Sequence, residues 1–167
     1  MKNSLFILLL IILFSCENKP VKSQKEILTE TTKATVLKAF NAQMDGEIEV
    51  LKSQLAEEFT FVLTGQLDIS KTYSWSEFLE FAGYFGSLLK GDVRAEYKGI
   101  LVEGKTAMVF AEGRMEGVGG KYENDYAIKY TLNESGKIIE QKEYLSDLLL
   151  AQKIYGQDLC GKKIMIE

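Results

Sequence analysis

The chain has 167 residues, 46% apolar and 26% charged, with a single proline; this is the composition of a globular protein of one domain, able to bury roughly 70% of its unfolded surface. Its 20 basic against 24 acidic side chains give a net charge of −4, which argues against nucleic acid as a partner. The absence of histidine removes Ser-His-Asp hydrolysis, Cys-His proteolysis and His-ligated zinc, and two cysteines are too few for a four-thiolate metal site or a disulfide framework. No cofactor and no metal are therefore expected.

The chain opens with Lys2 ahead of an unbroken apolar run over 5–14. Ten residues fall short of the roughly 20 that a membrane-spanning helix needs, and a positive start before a short apolar run marks a secretory signal. The run ends Leu13, Phe14, Ser15, Cys16, which resembles the bacterial lipoprotein box. That resemblance implies a signal peptide over 1–15, acylation of Cys16 and a lipid-anchored place at the membrane of the bacterial cell envelope. Several acyl chains hold a protein far more firmly than one. Residues 16–22, with Pro20, read as a tether, 23–156 as the folded domain and 157–167 as a tail. With Cys16 acylated, Cys160 is left as a free thiol or as a partner for a second molecule.

Ser23 and Glu26 form a capping box, and Ile27, Val36, Leu37, Phe40 and Met44 follow at helical spacing until Asp45 and Gly46 break the helix. A second helical stretch over 47–58 carries Ile48, Leu51 and Leu55 on one side, and 59–63 is β-rich. Ser74 and Glu77 form another capping box ahead of a third helix with Phe78, Leu79, Ala82, Phe85 and Leu89. From residue 93 the apolar period changes from 3.6 to 2. Strands are predicted over 93–102, 106–116, 122–132 and 137–146, and the short Gly-rich connections between them make the meander antiparallel. A last short helix is expected over 147–155. Helices first and then long strands give an α+β fold with the helices on one sheet face.

The segments VLKAFNA at 36–42 and LAEEFTF at 55–61, Asn124 with Tyr126, and Gly136, Lys137, Ile138, Glu143, Tyr144 and Asp147 resemble the SnoaL-like branch of the nuclear transport factor 2-like superfamily. The resemblance spans roughly residues 25–155 and implies a cone: N-terminal helices held in a curved, antiparallel four-stranded meander, with a mostly apolar pocket at the open end.

Alternation assigns the inner face of that cone. On 122–132 the set Tyr122, Asn124, Tyr126, Ile128, Tyr130 and Leu132 is the apolar and aromatic one and should face inward. Pairing Leu132 with Lys137 across the turn sets Tyr126 opposite Glu143 and Ile128 opposite Gln141, with Ile138, Glu140, Lys142 and Tyr144 outward. On 106–116 Val109, Ala111, Gly113 and Met115 face in, the small Ala111 and Gly113 leaving room for a ligand, while Glu112 and Arg114 form an outer pair. The candidate ligand site is therefore Ala111, Gly113, Met115, Asn124, Tyr126, Tyr130, Gln141 and Glu143, with Trp75 near the mouth. Glu143 and Tyr126 are the candidate acid/base pair, because an acid in apolar surroundings titrates near neutrality.

Ketosteroid isomerases of the superfamily place a base, a tyrosine and a protonated acid at positions that align here with Leu63 or Thr64, Phe40 and Ile128. None of these can do the chemistry. Limonene-epoxide-hydrolase relatives share only the acid before the strand's tyrosine, at Glu143 and Tyr144, and the arginine they need is missing from 122–132. Three functions follow: a lipid-anchored module binding a small apolar or aromatic molecule, an enzyme of related type using Glu143 with a pocket tyrosine, or a homodimeric interaction module. Nothing in the sequence separates the first two.

Overall fold

The computed structural model describes residues 22–158. The signal peptide, Cys16, nearly all of the tether, Cys160 and most of the tail lie outside the described residues. Both capping boxes form: Ser23 starts helix α1 (Gln24–Met44) and Ser74 starts α3 (Trp75–Ser87), each with its glutamate returning a bond to the cap backbone. Between them lie α2 (Ile48–Gln54), β1 (Leu55–Leu63) and β2 (Thr72–Ser74). The meander follows as β3 (Ala95–Glu103), β4 (Thr106–Gly117), β5 (Gly120–Leu132) and β6 (Ile138–Tyr144), and a short helix α4 (Asp147–Leu149) runs on into a π-helical turn (Leu150–Ile154).

The antiparallel meander is present, but it is part of a six-stranded mixed sheet of order β2-β1-β6-β5-β4-β3. β1 lies parallel to β6 and antiparallel to β2. This corrects two expectations. The four-stranded meander is not the whole sheet, since β1 extends it beyond β6 in parallel. The second helical stretch also stops at Gln54, because Leu55 already pairs with Ile138 of β6. Residues 55–58 satisfy a helical pattern on paper, and tertiary pairing overrides it.

The β5–β6 register differs from the sequence-based one by a bulge between Thr131 and Leu132. Leu132 pairs with Ile138, Tyr130 with Gln141 and Ile128 with Glu143. Glu143 is thus opposite Ile128 and not Tyr126. An extra residue at a bulge swaps the face of everything beyond it, so Ile138, expected outside, is fully buried, while Gln141 and Glu143 keep the inward parity assigned to them.

The helices pack into the concave face, α1 against β3 and β4 and α3 against β1 and β2. Val36, Ala39 and Phe40 of α1 meet Val109 and Ala111 of β4 and Ile128 and Tyr130 of β5 in one core. The C-terminal π turn seals the far end. Val118 and Gly119 in the β4–β5 hairpin donate backbone bonds to the carbonyls of Ile154 and Lys153, and Asp147 accepts from the Gln66 backbone N–H at 2.8 Å.

Candidate functional site

A cavity of about 160 Å³ lies between the three helices and the sheet. Four phenylalanines (Phe61, Phe78, Phe81, Phe85) and two methionines (Met44, Met115) supply much of its wall. The rings brace each other, with centroids 4.8 Å apart for Phe61 and Phe78 and 6.0 Å for Phe61 and Phe81, so the wall is stiff. Among the described residues only three polar side chains reach the cavity: Gln43, Tyr126 and Glu143. Its size matches the volume of about 150 Å³ that accepts one benzene-sized guest in a protein interior. An open depression shares Gln43, Met44, Val93 and Ala95 with it and is rimmed by Asp92, Arg94, Glu96, Glu112 and Arg114. With Asp45, four carboxylates stand there against the two arginines, and Arg114 and Glu112 pair with each other at 2.7 Å, so the depression is acidic on balance.

Glu143 is held from one side only. Gln141 donates one amide hydrogen to Glu143 Oε1 at 2.9 Å and the other to Gln43 Oε1 at 3.0 Å. Glu143 lines the cavity, and among the described residues no cation stands against it. Desolvation dominates and the Gln141 bond only partly opposes it, so the carboxyl is pushed up to about 7. The titratable groups that face it are Tyr122, Tyr126 and Tyr130. Burial raises all three hydroxyls above their ordinary value, and they stay protonated at neutral pH.

Of the residues assigned from sequence, Met115, Tyr126 and Glu143 meet in the cavity wall. Ala111, Gly113, Asn124, Tyr130 and Gln141 face inward but do not line it. The room expected over Gly113 is filled by Tyr126: a Cβ at 113 would lie 2.6 Å from the tyrosine ring. Tyr130 is fully buried beside Gln141, and its hydroxyl has no hydrogen-bond partner among the described residues. Trp75 packs edge-on to Phe59 and stacks on Phe78, away from the mouth. Its ring builds the wall from behind. Gln43, Phe81 and Leu145 were missed. Gln43 follows Val36, Ala39 and Phe40 at spacings of three and four, which marks the buried stripe of α1 and would have found it.

Among the described residues no group of three or more His, Cys, Asp or Glu could hold a metal, and no helix is long and apolar enough to cross a membrane.

No protein-family model matches the chain, and no curated protein matches it. Solved structures do. An NTF2-like protein of unknown function from Burkholderia pseudomallei superposes with a TM-score of 0.67 at 12% identity, covering 74% of this chain and 97% of its own. TerC, co-crystallised with polyporic acid, gives 0.66 at 17% identity over 75% of this chain and 98% of its own. IdmH from Streptomyces antibioticus, a proposed polyketide cyclase, gives 0.60 at 16% identity over 72% and 96%. The chain therefore has the NTF2-like α+β fold. At these identities the likeness carries the fold and not an activity.

Proposed function

We propose that this is a lipid-anchored protein of the bacterial cell envelope whose domain binds one small, largely apolar or aromatic molecule in the cone. The observation that carries the reading is the cavity itself, a braced aromatic wall into which, among the described residues, only the polar side chains of Gln43, Tyr126 and Glu143 reach. A few convergent polar groups in an otherwise apolar pocket fix a ligand's orientation. TerC's co-crystallisation with polyporic acid and IdmH's proposed cyclase role support a small-molecule reading.

α-Methylstyrene, a single-ring hydrocarbon, is expected to bind the full-length chain at one saturable site. Ala82→Phe, which fills the cavity from α3, should abolish that binding in a calorimetric or ligand-detected NMR titration. Binding that survives Ala82→Phe, or no binding to the natural chain, contradicts the reading.

The second reading, an enzyme with Glu143 as acid/base beside Tyr126, is favoured by a carboxyl that titrates near 7. General acid–base catalysis contributes roughly 10²–10⁴ in rate. An enzyme would lose that factor in Glu143→Gln, whereas a binder would keep its affinity for a neutral ligand.

The anchor rests on the sequence Leu13, Phe14, Ser15, Cys16. Cys16→Ser should prevent acylation, leaving an uncleaved precursor or a released soluble form in membrane fractionation. Mass spectrometry showing an unmodified Cys16 in mature, membrane-bound protein would contradict it.

A further inference from the structure

Among the described residues, the chain of hydrogen bonds from Asn124 through Tyr122 to Tyr126 leaves the Tyr126 proton with no acceptor except whatever occupies the cavity. Asn124 is 5% exposed and fixed by the backbone of Ser146: its Nδ2 donates to the Ser146 carbonyl at 3.0 Å and its Oδ1 accepts from the Ser146 N–H at 3.2 Å. These two bonds decide which end of the amide is nitrogen. The second Nδ2 hydrogen goes to Tyr122 Oη at 2.8 Å.

Tyr122 is fully buried. Its oxygen already accepts from Asn124, and its own hydrogen needs an acceptor. Among the described residues the other atom in reach is Tyr126 Oη, at 2.8 Å. If Tyr126 were the donor in that pair, the Tyr122 hydrogen would be buried without a partner. An unmet buried donor costs more than an ordinary hydrogen bond gains. The satisfied arrangement therefore runs one way, from Asn124 to Tyr122 to Tyr126.

Tyr126 stands at the cavity wall, and among the described residues its oxygen meets no hydrogen-bond partner but Tyr122. We infer that Tyr126 is the cavity's standing hydrogen-bond donor, and that the molecule taken up carries a carbonyl oxygen at the end that reaches it. Accepting from Tyr122 polarises the Tyr126 hydroxyl and strengthens it as a donor. Burial holds that hydroxyl in its protonated form, so the donor is present whether or not Glu143 is ionised. Gly113 belongs to the device, since any side chain there would collide with the Tyr126 ring. Asn124 and Tyr122 do not line the cavity and act as positioning residues.

This inference rests on the cavity-binding reading, and the test separates the two. Acetophenone and α-methylstyrene have nearly the same shape, with C=O in one replaced by C=CH₂ in the other. The full-length natural chain should favour acetophenone over α-methylstyrene by about threefold to tenfold more than Tyr126→Phe does, the net worth of one hydrogen bond. Tyr122→Phe should lower that preference by about twofold, because Tyr126 loses the bond that polarises it. α-Methylstyrene affinity in each variant reports whether the cavity is intact. The infrared carbonyl stretch of ¹³C-labelled acetophenone bound to the natural chain should lie below its position in an apolar solvent, a readout that needs no variant to fold.

A preference unchanged in Tyr126→Phe, or an unshifted carbonyl stretch, overturns the inference while α-methylstyrene binding keeps the cavity reading. A preference that rises in Tyr122→Phe overturns it as well, since the Tyr126 proton was then committed to Tyr122. If neither probe binds the natural chain, the cavity reading falls and the inference with it.

Discussion

Glu143→Gln is expected to make the protein more stable above about pH 8 and to change little at about pH 4. Burial holds the folded carboxyl at about 7 against 4.5 for a free one. Between those values the folded chain keeps a proton that the unfolded chain has released. The group's contribution is thus fully present below 4.5 and is lost as pH rises through 7. The gap corresponds to about 3 kcal/mol, a large share of the total stability of a domain this size. Glutamine keeps the shape and can still accept the Gln141 amide hydrogen, so the variant removes the ionisation and little else. Urea unfolding of both proteins across this range should give curves that converge in acid and separate above neutrality. A variant less stable at about pH 8, or a constant offset at every pH, would show that Glu143 is not the desolvated, uncompensated acid described here. A residue that weakens the fold where it is charged is better explained by what it does in the cavity than by packing.

Gly119→Ala should be the most damaging small substitution in the hairpin, costing about 3 kcal/mol, the upper part of the usual range for overpacking. Gly119 is exposed, so its burial gives no warning. A Cβ there would sit 1.8 Å from the Gln152 carbonyl oxygen and 3.1 Å from the Gly156 Cα. Backbone is what it meets, and backbone cannot swing aside as a side chain can. The collision would lift the π turn from the hairpin and break the Gly119 bond to the Lys153 carbonyl. Leu150, which lines the cavity, lies in that turn, so the loss should extend to ligand binding. Thermal unfolding and hydrogen exchange at the Val118 and Gly119 amides would measure both parts. An unchanged melting temperature would mean that the turn does not lock against the hairpin as described.

The order of elements and the inner face of β5 were legible in the sequence because both depend on local period. The capping boxes at Ser23 and Ser74 set the starts of α1 and α3, and the alternation from Tyr122 to Leu132 set which side chains face the core. Long-range pairing was not legible. That β1 lies parallel to β6 depends on a contact between residues about 80 positions apart, which no local signal carries. The β5–β6 register slipped for a related reason: one bulge at Thr131 moves every partner, and nothing about the sequence of 131–138 announces it. Glu143 still reached the cavity, because the bulge and the shifted pairing together moved its partner by two positions and preserved parity.

The candidate site was read in its polar members and not in its walls. Small residues at 111 and 113 suggested open space, yet a neighbouring Tyr126 claims the space over Gly113, and that is a packing outcome no alternation pattern contains. The cavity instead lies toward α3, where Phe78, Phe81 and Phe85 line it.

The most direct measurement is the ionisation of Glu143 itself, followed by carbon-13 NMR of its carboxyl with and without saturating α-methylstyrene. An acid facing an apolar binding cavity should titrate near 7 in the free protein, and higher once a hydrocarbon fills the space beside it. A midpoint near 4.5 that ignores the hydrocarbon would place the carboxyl in water and leave the cavity without its acid.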